Sequence, residues 1–120
     1  MAVTKTIARV LDGSAAANDI RESLRPRIEA FTEIGGRPPT LGILLAGDDA
    51  GSAVYVRNKV QRSEEIGIET ILERLPSTAS FDEALAVVER FNSYSEGDGI
   101  LVDSPLPTGM GAVAEQGVLE

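Results

Sequence analysis

The chain has 120 residues, 42% apolar and 25% charged, with 19 acidic side chains against 11 basic and a formal net charge of -8. That length suits one domain with a real core, and the acidic balance excludes a general nucleic-acid or anionic-membrane partner, since both need a basic face. Neither Cys nor His occurs. This removes disulfides, thiol nucleophiles, thiolate or imidazole metal sites and histidine triads, and leaves proton transfer to Asp, Glu, Lys and Tyr. No stretch is long and apolar enough for a bilayer span, and Met1 to Val10 has no signal-peptide core. A cytoplasmic protein is the expectation.

A short extended piece, Ala8 to Leu11, meets a turn at Asp12-Gly13. The spacing of Ala17, Ile20, Leu24, Ile28 and Phe31 predicts a helix from about Ser14 to Ile34, with Pro26 kinking or breaking it. "GGRPPT" is a loop. "LGILLA", Leu41 to Ala46, is an apolar run of strand length that suits a strand covered on both faces. "AGDDAGSAVYVRNKVQRSEEIG" begins as a turn and becomes a helix. Thr70 to Leu75 predicts a second strand. Ser80 with Glu83 forms a capping box for a helix whose apolar face is Phe81, Ala84, Leu85, Val88 and Phe91. "GILVD", Gly99 to Asp103, is a third buried strand, after which "SPLPTG" turns away. The order predicts a three-layer α/β fold: a βαβαβ parallel sheet with helices on both faces, preceded by a long N-terminal helix.

In an open parallel sheet, ligands bind beyond the carboxyl ends of the strands. "AGDDAGS" and "DSPLP" both leave such ends, and in a βαβαβ unit both reach the same edge. Tyr55 and Lys59 lie in the first turns of the helix leaving that edge, four apart and so on one face. That face is offset from the stripe of Ala53, Val56 and Val60. Lys59 is one of only two lysines, the other being Lys5. Tyr55, Lys59 and Asp103 can therefore converge. On spacing alone a Tyr and a Lys four apart are more often a solvated face, Asp103 a turn-former, and Arg57 and Arg62 solvated charges. Arg62 could instead attract an acidic ligand tail. "GDDAGS" matches neither a dinucleotide fingerprint nor a P-loop.

Taken together, "LDGSAAA", "LGILLAGDDAGSAVYVRNKVQRSEEIGI" and "DGILVDSPLP" occur in an order and at separations that resemble the catalytic domain of bifunctional methylenetetrahydrofolate dehydrogenase/cyclohydrolase, from about Arg9 to Pro107. The resemblance implies an enzyme of one-carbon folate metabolism acting on 5,10-methylene- or 5,10-methenyltetrahydrofolate, with NADP as cofactor. Tyr55 and Lys59 match the family's Tyr-x-x-x-Lys. The tyrosine there stacks on the aminobenzoyl part of folate, and the lysine handles protons and stabilises charge. The implied catalytic set is Lys59, Tyr55 and Asp103, with no metal. The implied substrate contacts are Ser52, Tyr55, Val56, Arg57, Asn58, Lys59, Val102, Asp103, Ser104 and Pro105. Ser52 matches the serine that opens the motif helix, where a hydroxyl can cap free N–H groups.

Two departures stand out. The family's Val-Gln-Leu-Pro-Leu-Pro is here "VDSPLP", so a carboxylate faces Lys59 where an amide is expected, and Ser104 replaces an apolar residue. The tail from about residue 108 is atypical, and the resemblance leads us to expect one folate-binding catalytic domain over 1–120, with the NADP-binding Rossmann domain absent and no cofactor-binding residue in the chain. The expected partners are a tetrahydrofolate-type small molecule and, to cover the face left bare, a second copy or a separate cofactor domain, with no nucleic acid and no membrane. Met110, Val113, Val118 and Leu119 could cover part of that face. The rival expectation is a truncated, non-catalytic folate-binding or interaction module.

Overall fold

In the computed structural model, residues 8–103 and 106–107 are described. The elements run α1 (Gly13–Gly35), β1 (Thr40–Ala46), α2 (Ala50–Glu65), β2 (Glu69–Leu75), α3 (Phe81–Ser93) and β3 (Gly99–Val102). The strands form a parallel sheet of order β2-β1-β3, with Ile43 opposite Leu72 on one side and Leu101 on the other. Each crossover carries one helix, α2 or α3, as parallel connections require.

Two clusters form the core, one on each face of β1. Ile43 and Leu45 meet Val56 of α2, with Leu41, Val60 and Leu101 packed around them. Leu44 and Ala46 meet Ala84 and Val87 of α3, together with Val102 and Leu106. The period-two alternation of an apolar strand buries both faces, so β1 is the covered strand the sequence predicts. By contrast, β3, read from sequence as buried, lies at an edge of the described sheet and leaves Ile100 exposed. Val87, unremarked in the apolar stripe of α3, is among the most buried side chains.

The N-terminal helix is one continuous element through Pro26 rather than two. Proline removes one N–H and so one intrahelical bond, a local loss. Both ends are held: Asp12 accepts from the Ala15 N–H, and Gly36, at φ 73°, returns its N–H to the Thr32 carbonyl. The apolar stripe of α1 is only partly covered. Ile28 is buried, whereas Ile20 and Phe31 are exposed. The helix touches the rest of the fold at its middle, where Arg25 donates to the Glu65 carbonyl at 2.7 Å. The extended piece at Ala8 to Leu11 does not become a strand: it is irregular and exposed, with no strand beside it among the described residues to supply hydrogen-bond partners.

Candidate active site

The loop after β1 turns sharply at Gly47, whose φ of 97° is a left-handed conformation that a side chain would strain. Its N–H donates to the Leu75 carbonyl at 3.0 Å, which ties this loop to the end of β2. A Cβ on Gly47 would lie 3.4 Å from Pro107 Cγ, so the chain leaving β3 passes over the same strand ends. The two loops singled out in the sequence thus do share one edge.

From that turn Asp49 starts α2, its Oδ2 accepting from the Ser52 N–H at 2.8 Å. The cap is therefore Asp49 and not Ser52, which lies buried inside the first turn. A helix advances about 100° per residue. With Val56 and Val60 against the sheet, Tyr55 and Lys59 fall to one side of the helix and Arg57 to the other. Lys59 Nζ donates to Asp103 Oδ1 at 2.6 Å. Arg57 instead lines a groove toward β2 with Leu72 and Arg74.

Asp103 follows β3 directly and extends its ladder, donating its N–H to the Leu44 carbonyl at 2.9 Å. Strand alternation places Leu101 and Asp103 on the α2 face and Val102 on the α3 face, as the two core clusters show. The Asp103 side chain is 3% exposed and that of Lys59 42%. Asp103 Oδ2 is buried with no hydrogen-bond partner among the described residues. Tyr55, 67% exposed, presents its ring to solvent one turn before Lys59.

Among the residues expected to bind a substrate, the geometry thus joins Lys59 to Asp103 and sets Tyr55 beside them. Val56 is 2% exposed beneath the helix and Val102 points into the opposite layer, so neither side chain is placed to touch a ligand at this edge. Their apolar character, which suits them to the core, decides this. Asn58 is exposed. Ser104 and Pro105 lie outside the described residues, as do Met110, Val113, Val118 and Leu119. Among the described residues no group of carboxylates converges in a way that could hold a metal ion. Asp49 was missed as a functional support, although an Asp three residues before a serine at a helix start is a readable cap signal.

Residues 11–120 match the family model described as tetrahydrofolate dehydrogenase/cyclohydrolase, catalytic domain. The chain belongs to this family. Bifunctional protein FolD 3 of Rhizorhabdus wittichii is 46% identical over 100 residues, 83% of this chain and 33% of that protein. Bifunctional protein FolD of Aquifex aeolicus is 40% identical over 101 residues, 84% of this chain and 35% of its own length. The solved 5,10-methylenetetrahydrofolate dehydrogenase of the silkworm Bombyx mori superposes with a TM-score of 0.85 at 34% identity, covering 93% of this chain and 38% of that one. The Trypanosoma brucei dehydrogenase-cyclohydrolase, solved with NADP and an inhibitor, gives 0.85 at 27% identity, covering 94% and 38%. The chain spans about a third of the length of the curated relatives it matches.

The described residues do not fit the dinucleotide that the family uses. A pyrophosphate is held by the free N–H groups of a helix N-terminus. Here each helix start carries its own acceptor or acidic side chain: Asp12 on α1, Asp49 on α2, and Ser80 followed by Asp82 and Glu83 on α3.

Proposed function

We propose that this tetrahydrofolate dehydrogenase/cyclohydrolase-family chain supplies the folate side of a methylenetetrahydrofolate dehydrogenase/cyclohydrolase in the cytoplasm. The carrying observation is the 2.6 Å contact between Lys59 and Asp103 at the strand-end edge, with Tyr55 one turn away. Tyr55 offers an exposed ring for the aminobenzoyl group, since aromatic faces stack favourably. Lys59 offers a partly shielded charge beside the one-carbon unit. Dehydrogenation calls for NADP as hydride acceptor, and the described residues give it no seat, so the chemistry assigned to them is that on folate. Ser104 and Pro105, together with the backbone at Val102, complete the proposed substrate contacts.

The test is titration of the purified chain with tetrahydrofolate, followed by calorimetry and by thermal unfolding. A ligand that binds only the folded state raises its stability as concentration passes Kd. Saturable binding that Lys59→Met weakens supports the proposal. Absence of binding at millimolar ligand overturns it.

One observation favours a second reading, an interaction module. Ile20, Phe31 and Ile34 of α1 are exposed, and apolar side chains left open on a helix offer area that another chain can cover. Sedimentation velocity over a wide concentration range decides this reading, and a strictly monomeric chain overturns it.

A further inference from the structure

β2 forms one edge of the sheet, with β1 as its one neighbour among the described residues. The Glu69 N–H donates to the Pro39 carbonyl at 2.9 Å, and the Leu75 carbonyl accepts from the Gly47 N–H at 3.0 Å. Backbone groups alternate in direction along a strand, so Glu69, Ile71, Glu73 and Leu75 turn theirs inward. Thr70, Leu72 and Arg74 turn their N–H and C=O groups outward, a row of donors and acceptors open to another strand.

Leu72 lies opposite Ile43 and Arg74 opposite Leu45. Because Ile43 and Leu45 pack on Val56, the side chains of Leu72 and Arg74 also stand on the α2 face. Between β2 and α2 runs a groove of about 210 Å³, apolar at Leu45, Val56, Val60 and Leu72 and cationic at Arg57 and Arg74. Small-molecule sites usually occupy about 300–1,000 Å³, so this volume suits one or two side chains rather than a whole cofactor. No carboxylate lines the groove, although the chain carries 19 acidic residues. Ion pairs among the described residues use Arg25, Arg37, Lys59, Arg62 and Arg90, and neither Arg57 nor Arg74. On the other face of the same strand the charge is answered, where Glu73 meets Arg90 of α3 at 3.4 Å.

A charge on an edge strand commonly deters pairing, but a cation deters basic partners and favours acidic ones. We propose that the free edge of β2 takes up an extended acidic peptide segment as an additional antiparallel strand. Main-chain bonds form at Thr70, Leu72 and Arg74. An apolar side chain of the segment, opposite Leu72, fills the groove. A carboxylate two residues before it, opposite Arg74, meets that guanidinium, with Arg57 on the facing helix. Antiparallel self-pairing of two β2 strands brings only Thr70, Leu72 and Arg74 to this face, none of them acidic, and so leaves both arginines unanswered. The groove lies across α2 from Lys59 and is independent of the folate reading.

The test titrates the whole chain into a fluorescein-labelled, end-capped heptapeptide, Thr-Thr-Glu-Thr-Leu-Thr-Thr, and follows polarisation. Saturable binding should weaken with salt and fall at least tenfold when lysine replaces the peptide's glutamate. Arg57→Gln and Arg74→Gln, each confirmed as folded by circular dichroism, should lower affinity roughly threefold to tenfold. N-methylation of the peptide's leucine amide, which faces β2, should abolish binding. Methylation of the next amide, which faces solvent, should leave it intact. Absence of saturation at millimolar concentration overturns the proposal. So does equal binding of the lysine peptide, which makes the arginines bystanders, or equal loss from either methylation, which removes the ladder. Free glutamate competing at the same concentration as the peptide would reduce the groove to an anion site and overturn it too. A chain that sediments as a dimer at the assay concentration, and as a monomer in Leu72→Lys, would give the edge to a second copy and likewise overturn it.

Discussion

Arg37 and Asp98, 61 residues apart, form a two-pronged ion pair with contacts of 2.7 and 3.0 Å. Asp98 Oδ2 also accepts from the Thr40 N–H at 2.9 Å. One carboxylate thus fastens the loop before β1 to the loop before β3, at the opposite end of the sheet from Lys59. Hydrogen bonding from Arg37, then from the Thr40 N–H, holds the Asp98 carboxyl down at about 2. A group whose pKa is depressed on folding contributes stability that is complete above its unfolded value, about 3.9 for Asp, and is lost as pH falls through the folded value. Asp98→Asn should therefore lower the thermal midpoint at pH 7, and the difference from the native chain should shrink between about pH 4 and pH 2. Thermal unfolding of both forms across that range checks it. A gap that persists unchanged at pH 2 would show that the charge is not what matters.

Gly42 lies in the middle of β1, under the ring of Phe91. A Cβ there would sit 2.9 to 3.0 Å from three ring atoms. Gly42→Ala should destabilise the chain by about 1–3 kcal/mol, the usual consequence of overfilling a packed site. Phe91→Leu shortens the obstructing side chain, so the double variant should lose less than the sum of the two single losses. Urea unfolding of the four proteins measures the coupling, and strict additivity would show that the ring moves aside freely.

Asp49, not Ser52, closes the first turn of α2 with its 2.8 Å bond to the Ser52 N–H. Asp49→Ala should cost about 1 kcal/mol of stability, as a lost cap typically does, whereas Asp49→Ser should recover much of it. Because α2 carries both Tyr55 and Lys59, fraying of its first turn should also weaken reduced-folate binding. Chemical unfolding together with tetrahydrofolate titration tests both effects.

The extent to which the sequence discloses this molecule follows from the range of the interactions involved. β1 is legible because an apolar run buried on both faces needs nothing beyond local composition, and the starts of α1 and α3 are legible because Asp12 and Ser80 accept from N–H groups three residues on. Of the capping box at Ser80, that half is present. The meeting of Lys59 with Asp103 is legible too, because parallel topology obliges both strand-end loops to the same edge. What escaped depends on neighbours. Whether β3 is an interior or an edge strand is a property of the whole sheet, and Ile100 reads the same either way. The inward direction of Val56 and Val102 conflicts with assigning them to a ligand by motif membership, since a motif includes the residues that hold its helix or strand in place. The break read as one outcome at Pro26 does not occur, because a single missing donor is weighed locally, while a helix with 23 residues and capped ends is not.

Tyr55 gives the most direct test of the folate side. The residue is 67% exposed, so it contributes little to the core, and Tyr55→Ala should change stability by no more than about 0.5 kcal/mol, as surface substitutions usually do. The helix should in fact accept alanine well, since alanine is the best helix former. If the ring stacks on the aminobenzoyl group of a bound folate, its removal forfeits an aromatic contact worth about 0.5–1.5 kcal/mol beyond the area buried. Affinity for tetrahydrofolate should then fall by roughly tenfold. Tyr55→Phe keeps the face and drops only the hydroxyl, so it should bind nearly as well as the native chain, whereas Tyr55→Leu keeps apolar area without the aromatic face and should fall between. Calorimetric titration of the four proteins gives the order. An alanine variant that binds as tightly as the native chain would place the folate ring elsewhere on this edge, and a phenylalanine variant as weak as alanine would assign the contact to the hydroxyl instead.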